Sequence, residues 1–356
     1  MVIASTLPTL DKKMEEEVLR ALREEFFVGG KSVDEFEADF ARYIGVDHAV
    51  AVSSGTDALT IALRCLDIKK DVITTSMTFV ATPESIVLSG ARPKFGDIDT
   101  ESYNISPEEI NKLISEQTEA IMPVHLYGLP CDMKEITDIA EDKGIKIIED
   151  AAQSHGAQCG NRKVGSIGDV GCFSFYSTKN LTVGGNGGMI TTNDGKIAEK
   201  ARLLREHGGS NYSKYIGYNA RMNTINAAFG RVQLQCLDQW IKRRHEISKL
   251  YKDKLADLME IKLPIINDEH VYHLFVIQAE QRDELKEYLR KEKIFCGIHY
   301  PLPVTSLEPY KQYVDGSYPN AEYLATKALS IPMYPTLENK DIDFICQIIK
   351  EFYGEK

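Results

Sequence analysis

Two rhythms of apolar and polar positions alternate along this chain. Short apolar runs stand at AVAVS (49–53), DVITT (71–75), AIMPV (120–124), KIIED (146–150), GCFSFY (171–176) and GMITTN (188–193). Each predicts a strand. Between them apolar residues recur three and four apart, the period of a helix. SSGTDALTIALRCL reads as a turn opening a helix, and TPESIVLSG as a short helix ending at Gly90. MKEITDIAEDKG (133–144) reads as a helix stopped by Gly144. DKKMEEEVLRALREEF (11–26) predicts a helix whose charges, acidic then basic, suit its own dipole. Strands separated by helices predict an α/β fold, a mostly parallel sheet with helices on both faces.

Past residue 196 the pattern changes. KIAEKARLLREH (196–207) predicts one more helix, and residues 227–258 keep helical periodicity over an unusual length, which suits a helix linking two domains. The apolar run VYHLFVIQA (271–279) and helices at 283–293 and 340–353 follow. The expected division is a large α/β domain over 1–235, with an N-terminal helical segment, and a smaller α+β domain over 236–356. No repeat or low-complexity tract interrupts it.

Composition narrows the function. The chain has 356 residues, 43% hydrophobic and 27% charged, with a formal net charge of −11. That balance disfavours a nucleic-acid surface, which needs a basic stripe. Any anionic ligand must be held by local groups. Seven cysteines without a CxxC spacing predict reduced, mostly buried thiols. The N-terminus shows no basic start and no long apolar run, so the expectation is a cytoplasmic protein that does not enter a membrane. Single histidines in HLYG, QSHG and HYP lack paired spacing, so no metal site is expected. His125 and His155 are expected near the site or in the core.

Three stretches carry candidate chemistry. SSGTDAL (53–59) places small residues and Thr56 between a strand and a helix start, where N–H groups and the dipole attract an anion. The same residues also make an ordinary helix cap. Asp150 ends an apolar strand, at the edge where open α/β sheets bind ligands. There it can keep a ring nitrogen protonated, or simply cap the next helix. FSFYSTKN (173–180) ends in Lys179 and is followed by GGNGG. A buried lysine amine can condense with an aldehyde, and side-chain-free glycines let a bulky group lie against the backbone. Ser174 is within reach of a phosphate. The three stretches fit one cofactor, pyridoxal phosphate, with Phe79 as the flat face over its ring.

VGGKSVDEFEADFARYIG, SSGTDAL, TFVAT, MPVHLYGLPCDM, IIEDAAQSHGA, VGSIGDVGCFSFYSTKNLTVGGNGGMITTND, GYNARMN and GIHYPLP occur in this order over nearly the whole chain. In them the chain resembles the pyridoxal-phosphate-dependent sugar aminotransferases of the DegT/DnrJ/EryC1/StrS family, of aspartate aminotransferase fold type I. The resemblance implies a seven-stranded-type sheet in the large domain. It implies Lys179 as the lysine bonded to the cofactor and moving protons, and Asp150 as partner of the pyridine nitrogen. It implies Gln153 beside the ring hydroxyl and Phe79 stacked on the ring. Thr56, Asp57 (through its backbone) and Ser174 would hold the phosphate, and Asn219 the phosphate of a neighbouring subunit, which implies a homodimer with shared sites. The implied substrates are glutamate and a nucleotide-diphosphate-linked keto-sugar, for amino-sugar and surface-polysaccharide synthesis, with C4 amination slightly favoured over C3. Tyr212, Lys214, Arg221, His299 and Tyr300 are the expected substrate-side residues.

The chain departs from the family at Asn186, often glutamate, and at Val304 and Thr305, where a histidine often follows. Alternatives are a sugar dehydratase or cyclitol aminotransferase of the same family, and a non-catalytic ligand-binding regulator. Lys179 disfavours the dehydratase, whose relatives carry a histidine there. The absence of a basic helix-turn-helix extension disfavours the regulator. A dinucleotide-binding dehydrogenase is disfavoured because SSGTDAL lacks the G-x-G-x-x-G spacing.

Overall fold

The computed structural model describes residues 2–209 and 214–354. Its main sheet is built from β1 (His48–Val52), β2 (Asp71–Thr75), β3 (Arg92–Gly96), β4 (Thr118–Ile121), β5 (Lys146–Asp150), β8 (Val170–Ser174) and β9 (Gly188–Thr192). A small hairpin, β6 (Gln158–Cys159) and β7 (Arg162–Lys163), precedes β8. The order across the sheet is β1-β9-β8-β5-β4-β2-β3. The five strands from β8 to β3 are parallel to one another, and β9 runs antiparallel to both its neighbours. The fold is the mostly parallel α/β architecture expected from the sequence.

The helices before the long connection are α1 (Lys12–Glu24), α2 (Lys31–Ile44), α3 (Gly55–Cys65), α4 (Ala81–Leu88), α5 (Pro107–Leu113), α6 (Met133–Lys143) and α7 (Gly195–Arg205). Ser54 caps α3, its hydroxyl accepting from the Asp57 N–H. Gly144 stops α6 in the left-handed conformation at φ 65. Two cores sandwich the sheet. One packs Ile61, Leu63, Ile148, Val170 and Ile190. The other packs Phe36, Phe40, Phe173 and Phe175, with Phe40 and Phe173 edge-on at 5.0 Å. Burying one such ring contributes about 2–3 kcal/mol, so these phenylalanines anchor α2 beneath the strand that leads to Lys179.

The long connection is α8 (Thr224–Leu255). After it come β10 (Ile261–Lys262), β11 (Phe275–Ala279), α9 (Arg282–Lys291), α10 (Pro319–Lys327), β12 (Ala328–Ile331) and α11 (Asn339–Phe352). The three strands form an antiparallel sheet in the order β10-β11-β12. Tyr251, Phe275, Ile277, Leu285 and Ile345 fill its core together with Ile3 from the N-terminus. The expected boundary at 235/236 falls inside α8, which runs through it unbroken. Its first half packs against the large sheet through Ala227, Leu234 and Leu237, its second half against the small one through Ile247, Tyr251 and Leu255.

Some elements escape the sequence pattern. Arg92, Pro93 and Lys94 hide β3, yet it is an edge strand and pairs only with β2. An edge tolerates a proline and charges that a central strand does not. Of the apolar run 271–279 only Phe275–Ala279 is strand, and residues 271–274 bond elsewhere. Val271 N–H reaches Gly128 O at 2.9 Å and Leu274 N–H reaches Tyr127 O at 3.2 Å. This seam brings the small unit to the large one. No described helix is long and apolar enough to cross a membrane.

Candidate active site

The carboxyl ends of the parallel strands converge on one edge, and the candidate residues gather there. Asp150 ends β5 and is 4% exposed. Thr82 Oγ1, from the first turn of α4, donates to its Oδ2 at 2.8 Å, and Ala152 N–H donates to Oδ1 at 3.2 Å. Burial raises the Asp150 pKa above the ordinary carboxylate value; Thr82, Ala152 and the charge of Lys179 pull against it. This carboxylate has few donors for its depth, which suits a cationic N–H partner from a ligand.

Lys179 follows β8 in the loop before the glycine run and is partly exposed. Burial lowers its pKa to about 8, with Asp150 opposing the shift. An amine there is part neutral, and so nucleophilic, at physiological pH. His155 is fully buried between Phe173 and Phe175, ring centroids 5.4 and 5.6 Å away, and neither ring nitrogen makes a hydrogen bond of good geometry. Burial first, and Lys179 second, lower its pKa to about 3. The same two causes lead in lowering His273, whose Nδ1 also lacks a partner. These rings stay neutral and add no positive charge beside the lysine.

The start of α3 meets Ser174 at the end of β8. A Cβ on Gly55 would sit 2.7 Å from Ser174 Cβ, and one on Gly188 would sit 2.2 Å from Ser54 O. Glycines at both positions let helix start and strand end close into one cradle. The first N–H groups of a helix have no intrahelical acceptor. Ser54 Oγ takes the Asp57 N–H at 3.0 Å, and the Asp57 carboxylate accepts from Ser53 Oγ at 2.5 Å and Ser54 Oγ at 2.7 Å. Asp57 N–H, expected to face a phosphate, donates to the Ser54 cap in this structure. The Gly55 and Thr56 N–H groups and the Thr56 and Ser174 hydroxyls are left for an anion. With Lys179 and Asp150 the donor set fits pyridoxal phosphate: a cradle for the phosphate, an amine for the aldehyde and a carboxylate for the ring nitrogen.

Gln153 is 4% exposed; its Oε1 accepts from Tyr127 N–H at 2.8 Å and its Nε2 donates to Tyr300 Oη at 3.1 Å. Phe79 is 54% exposed, its only aromatic neighbour among the described residues being Tyr300 at 6.0 Å. A ring so open can take a flat ligand. His299 shares a hydrogen bond with Ser330 Oγ at 2.9 Å, and burial, then Lys179, lower its pKa to about 4. So Gln153, Phe79, His299 and Tyr300 form one wall with Lys179 and Asp150. The remaining residues do not join it within this chain. Arg221 is engaged by Glu206 Oε1 at 2.7 Å and by Asn219 Oδ1 at 2.8 Å, so its guanidinium is already paired. Lys214 is exposed and sits 5.5 Å from the Tyr215 ring. Tyr212 lies outside the described residues.

Sequence reasoning missed Thr82, Tyr127, His273 and the role of Glu149. Thr82 had a signal: a hydroxyl in the first turn of a helix that leaves a strand at the ligand edge. Tyr127 has none, because its contacts depend on a left-handed backbone (φ 58). That conformation costs a non-glycine residue about 1–2 kcal/mol and is visible only in three dimensions. A cavity of about 840 Å³ lies at the opposite strand ends, where Lys146 and Lys200 are paired with Asp169 and Asp67. None of the residues above lines it.

Comparison with known proteins decides the family. The model of the DegT/DnrJ/EryC1/StrS aminotransferase family matches residues 8–350. The chain belongs to this family. It is an aminotransferase by family, and the family's enzymes depend on pyridoxal phosphate. It is 39% identical over 349 residues to a pleiotropic regulatory protein of Geobacillus stearothermophilus, covering 95% of this chain and 93% of that one. It is 36% identical to the dTDP-3-amino-3,6-dideoxy-α-D-galactopyranose transaminase of Aneurinibacillus thermoaerophilus, covering 96% and 95%. Among solved structures it resembles S. venezuelae DesV in complex with a ketimine intermediate, at TM-score 0.93 and 37% identity, covering 96% and 95%.

Proposed function

We propose that this aminotransferase moves an amino group from glutamate to a nucleotide-diphosphate-linked keto-sugar, using pyridoxal phosphate. The observation that carries the proposal is that Lys179 and Asp150 lie within electrostatic reach of each other, each with its pKa displaced by burial, beside the α3–Ser174 cradle. Pyridoxal phosphate supplies an aldehyde that condenses with amines and a ring that accepts electrons from the substrate carbon. Lys179 would anchor it and, as a free amine, would take and return the proton at that carbon. Asp150 would hold the proton on the ring nitrogen, and Thr82 orients Asp150. Gln153 would hold the ring hydroxyl, Phe79 the ring face, and Thr56 and Ser174 the phosphate. Asn219 serves the partner's site in a homodimer. Tyr212, Lys214, Arg221, His299 and Tyr300 are proposed on the sugar side; Arg221 must then leave or share its Glu206 pair. The named Aneurinibacillus relative makes a 3-amino sugar, so C3 stands beside the C4 outcome favoured by the sequence.

The test is the visible spectrum of the protein loaded with pyridoxal phosphate. Glutamate should bleach the yellow band, and Lys179→Ala should never form it. A second reading, a ligand-binding regulator, is favoured by the name of the Geobacillus relative; it predicts a band that no amino donor and keto-sugar pair turns over. The lysine also sets a pH dependence. Capture of the cofactor by the cofactor-free protein should accelerate as pH rises through about 8, where the amine loses its proton, rather than near the ordinary 10.5. A stopped-flow pH series measures this midpoint.

A further inference from the structure

The orientation of the Gln153 amide is dictated by its neighbours. Tyr127 N–H can only donate, so Oε1 faces it. Nε2 therefore carries two hydrogens beyond that contact, and one goes to the Tyr300 hydroxyl oxygen. Because that hydroxyl accepts there, its own hydrogen is available to donate. Burial raises the Tyr300 pKa, so the hydrogen stays on at neutral pH. Two donors thus stand side by side: the second Nε2–H of Gln153 and the O–H of Tyr300.

Tyr127 touches both ends of this pair. Its N–H fixes Gln153, and its hydroxyl donates to the carbonyl of His299, the residue before Tyr300. It is 2% exposed, and its ring packs edge-on to Tyr103 at 6.1 Å. The left-handed backbone at φ 58 turns the N–H toward Gln153 while the ring reaches across to the small unit. His299 is held from its other side by Ser330.

We propose that Tyr127 is a positioning residue, tying the Gln153 amide to the backbone at 299–300 so that Gln153 and Tyr300 direct two donors at one negatively charged oxygen of the bound ligand. This rests on the reading of Gln153 as the neighbour of the cofactor's ring hydroxyl. Donors to that oxygen favour its ionised form, so losing one raises the pH at which the visible band of the loaded protein changes. The experiment titrates that band in the wild type, Tyr127→Phe, Tyr300→Phe, the double variant and Gln153→Ala, without turnover. Tyr127→Phe and Tyr300→Phe should each raise the midpoint by about half a unit or more. The double variant should shift no further than Tyr300→Phe, because Tyr127 acts through Tyr300. An unshifted Tyr127→Phe, or shifts that add, overturns the proposal. Gln153→Ala separates it from the reading beneath: if Gln153→Ala shifts and Tyr127→Phe does not, only the positioning role falls. If Gln153→Ala does not shift, the ring-hydroxyl reading falls with it. Should Tyr127→Phe not fold, Ser330→Ala loosens His299 from the other side and must give the same upward shift.

Discussion

Glu149 and Asp150 are adjacent carboxylates on β5, both buried, and they face opposite sides of the sheet. Glu149 accepts from the N–H groups of Gly165, Ile167 and Gly168 at 2.8, 2.7 and 2.7 Å and pairs with His125 Nε2 at 3.2 Å. His125 Nδ1 accepts from Cys131 N–H, so Nε2 is the nitrogen that carries the hydrogen. Burial alone would raise the Glu149 pKa, but His125 and the backbone donors outweigh it and hold the carboxyl below its ordinary value. Asp150 has one hydroxyl and one N–H, and burial wins. The protein therefore completes one carboxylate from within and leaves the other short of donors. The first builds the fold; the second is the carboxylate proposed to take a partner from outside.

The comparison can be broken by mutation. Glu149→Gln puts an NH2 group among donors that need an acceptor, and should cost about 3 kcal/mol of stability in urea unfolding of the cofactor-free protein. An unchanged midpoint would remove the contrast. Next in size is an acid effect at His155. Its folded pKa, about 3, lies below the unfolded value of 6.5. As pH falls below 6.5 the unfolded chain takes up a proton that the folded one refuses, so stability present above pH 6.5 is lost on the way to pH 3. Between pH 7 and pH 5 the wild type should lose about 2 kcal/mol more than His155→Phe. Smallest is Lys179. Its folded pKa, about 8, is below the ordinary 10.5, so its buried charge costs stability below pH 8 and the cost fades between pH 8 and 10.5. Without cofactor, Lys179→Met should stabilise the fold at pH 7 by about 1–2 kcal/mol and lose that advantage above pH 10. Thermal melts across pH test it.

How far the sequence reaches follows the same division. The central strands were legible because they are continuous apolar runs, and Gly144 because a helix stop needs its backbone. Lys179, Asp150 and the SSGTDAL turn were legible as candidates because each has an odd residue at a strand end. β3 was not, since an edge strand shows neither a clean apolar run nor clean alternation. Glu149 reads on paper like any acid beside Asp150; only the loop 165–168 folded over it reveals its donors. The same holds for Thr82 and Tyr127, whose partners lie 68 residues away for Thr82 and 172 for Tyr127. Arg221 was expected on the substrate side and is paired with Glu206, a contact between residues 15 apart that no spacing announces.

The most direct measurement follows Asp150→Asn by stopped-flow absorbance after mixing the pyridoxal-phosphate-loaded protein with glutamate. Asparagine keeps the shape of the side chain but cannot hold a proton on the ring nitrogen. The yellow band should still form, stability should change by less than about 1 kcal/mol, and bleaching should slow by about a thousandfold or more, some 4 kcal/mol in the barrier. Bleaching at the wild-type rate would contradict this, because the carboxylate left open on β5 would then have no part in the chemistry.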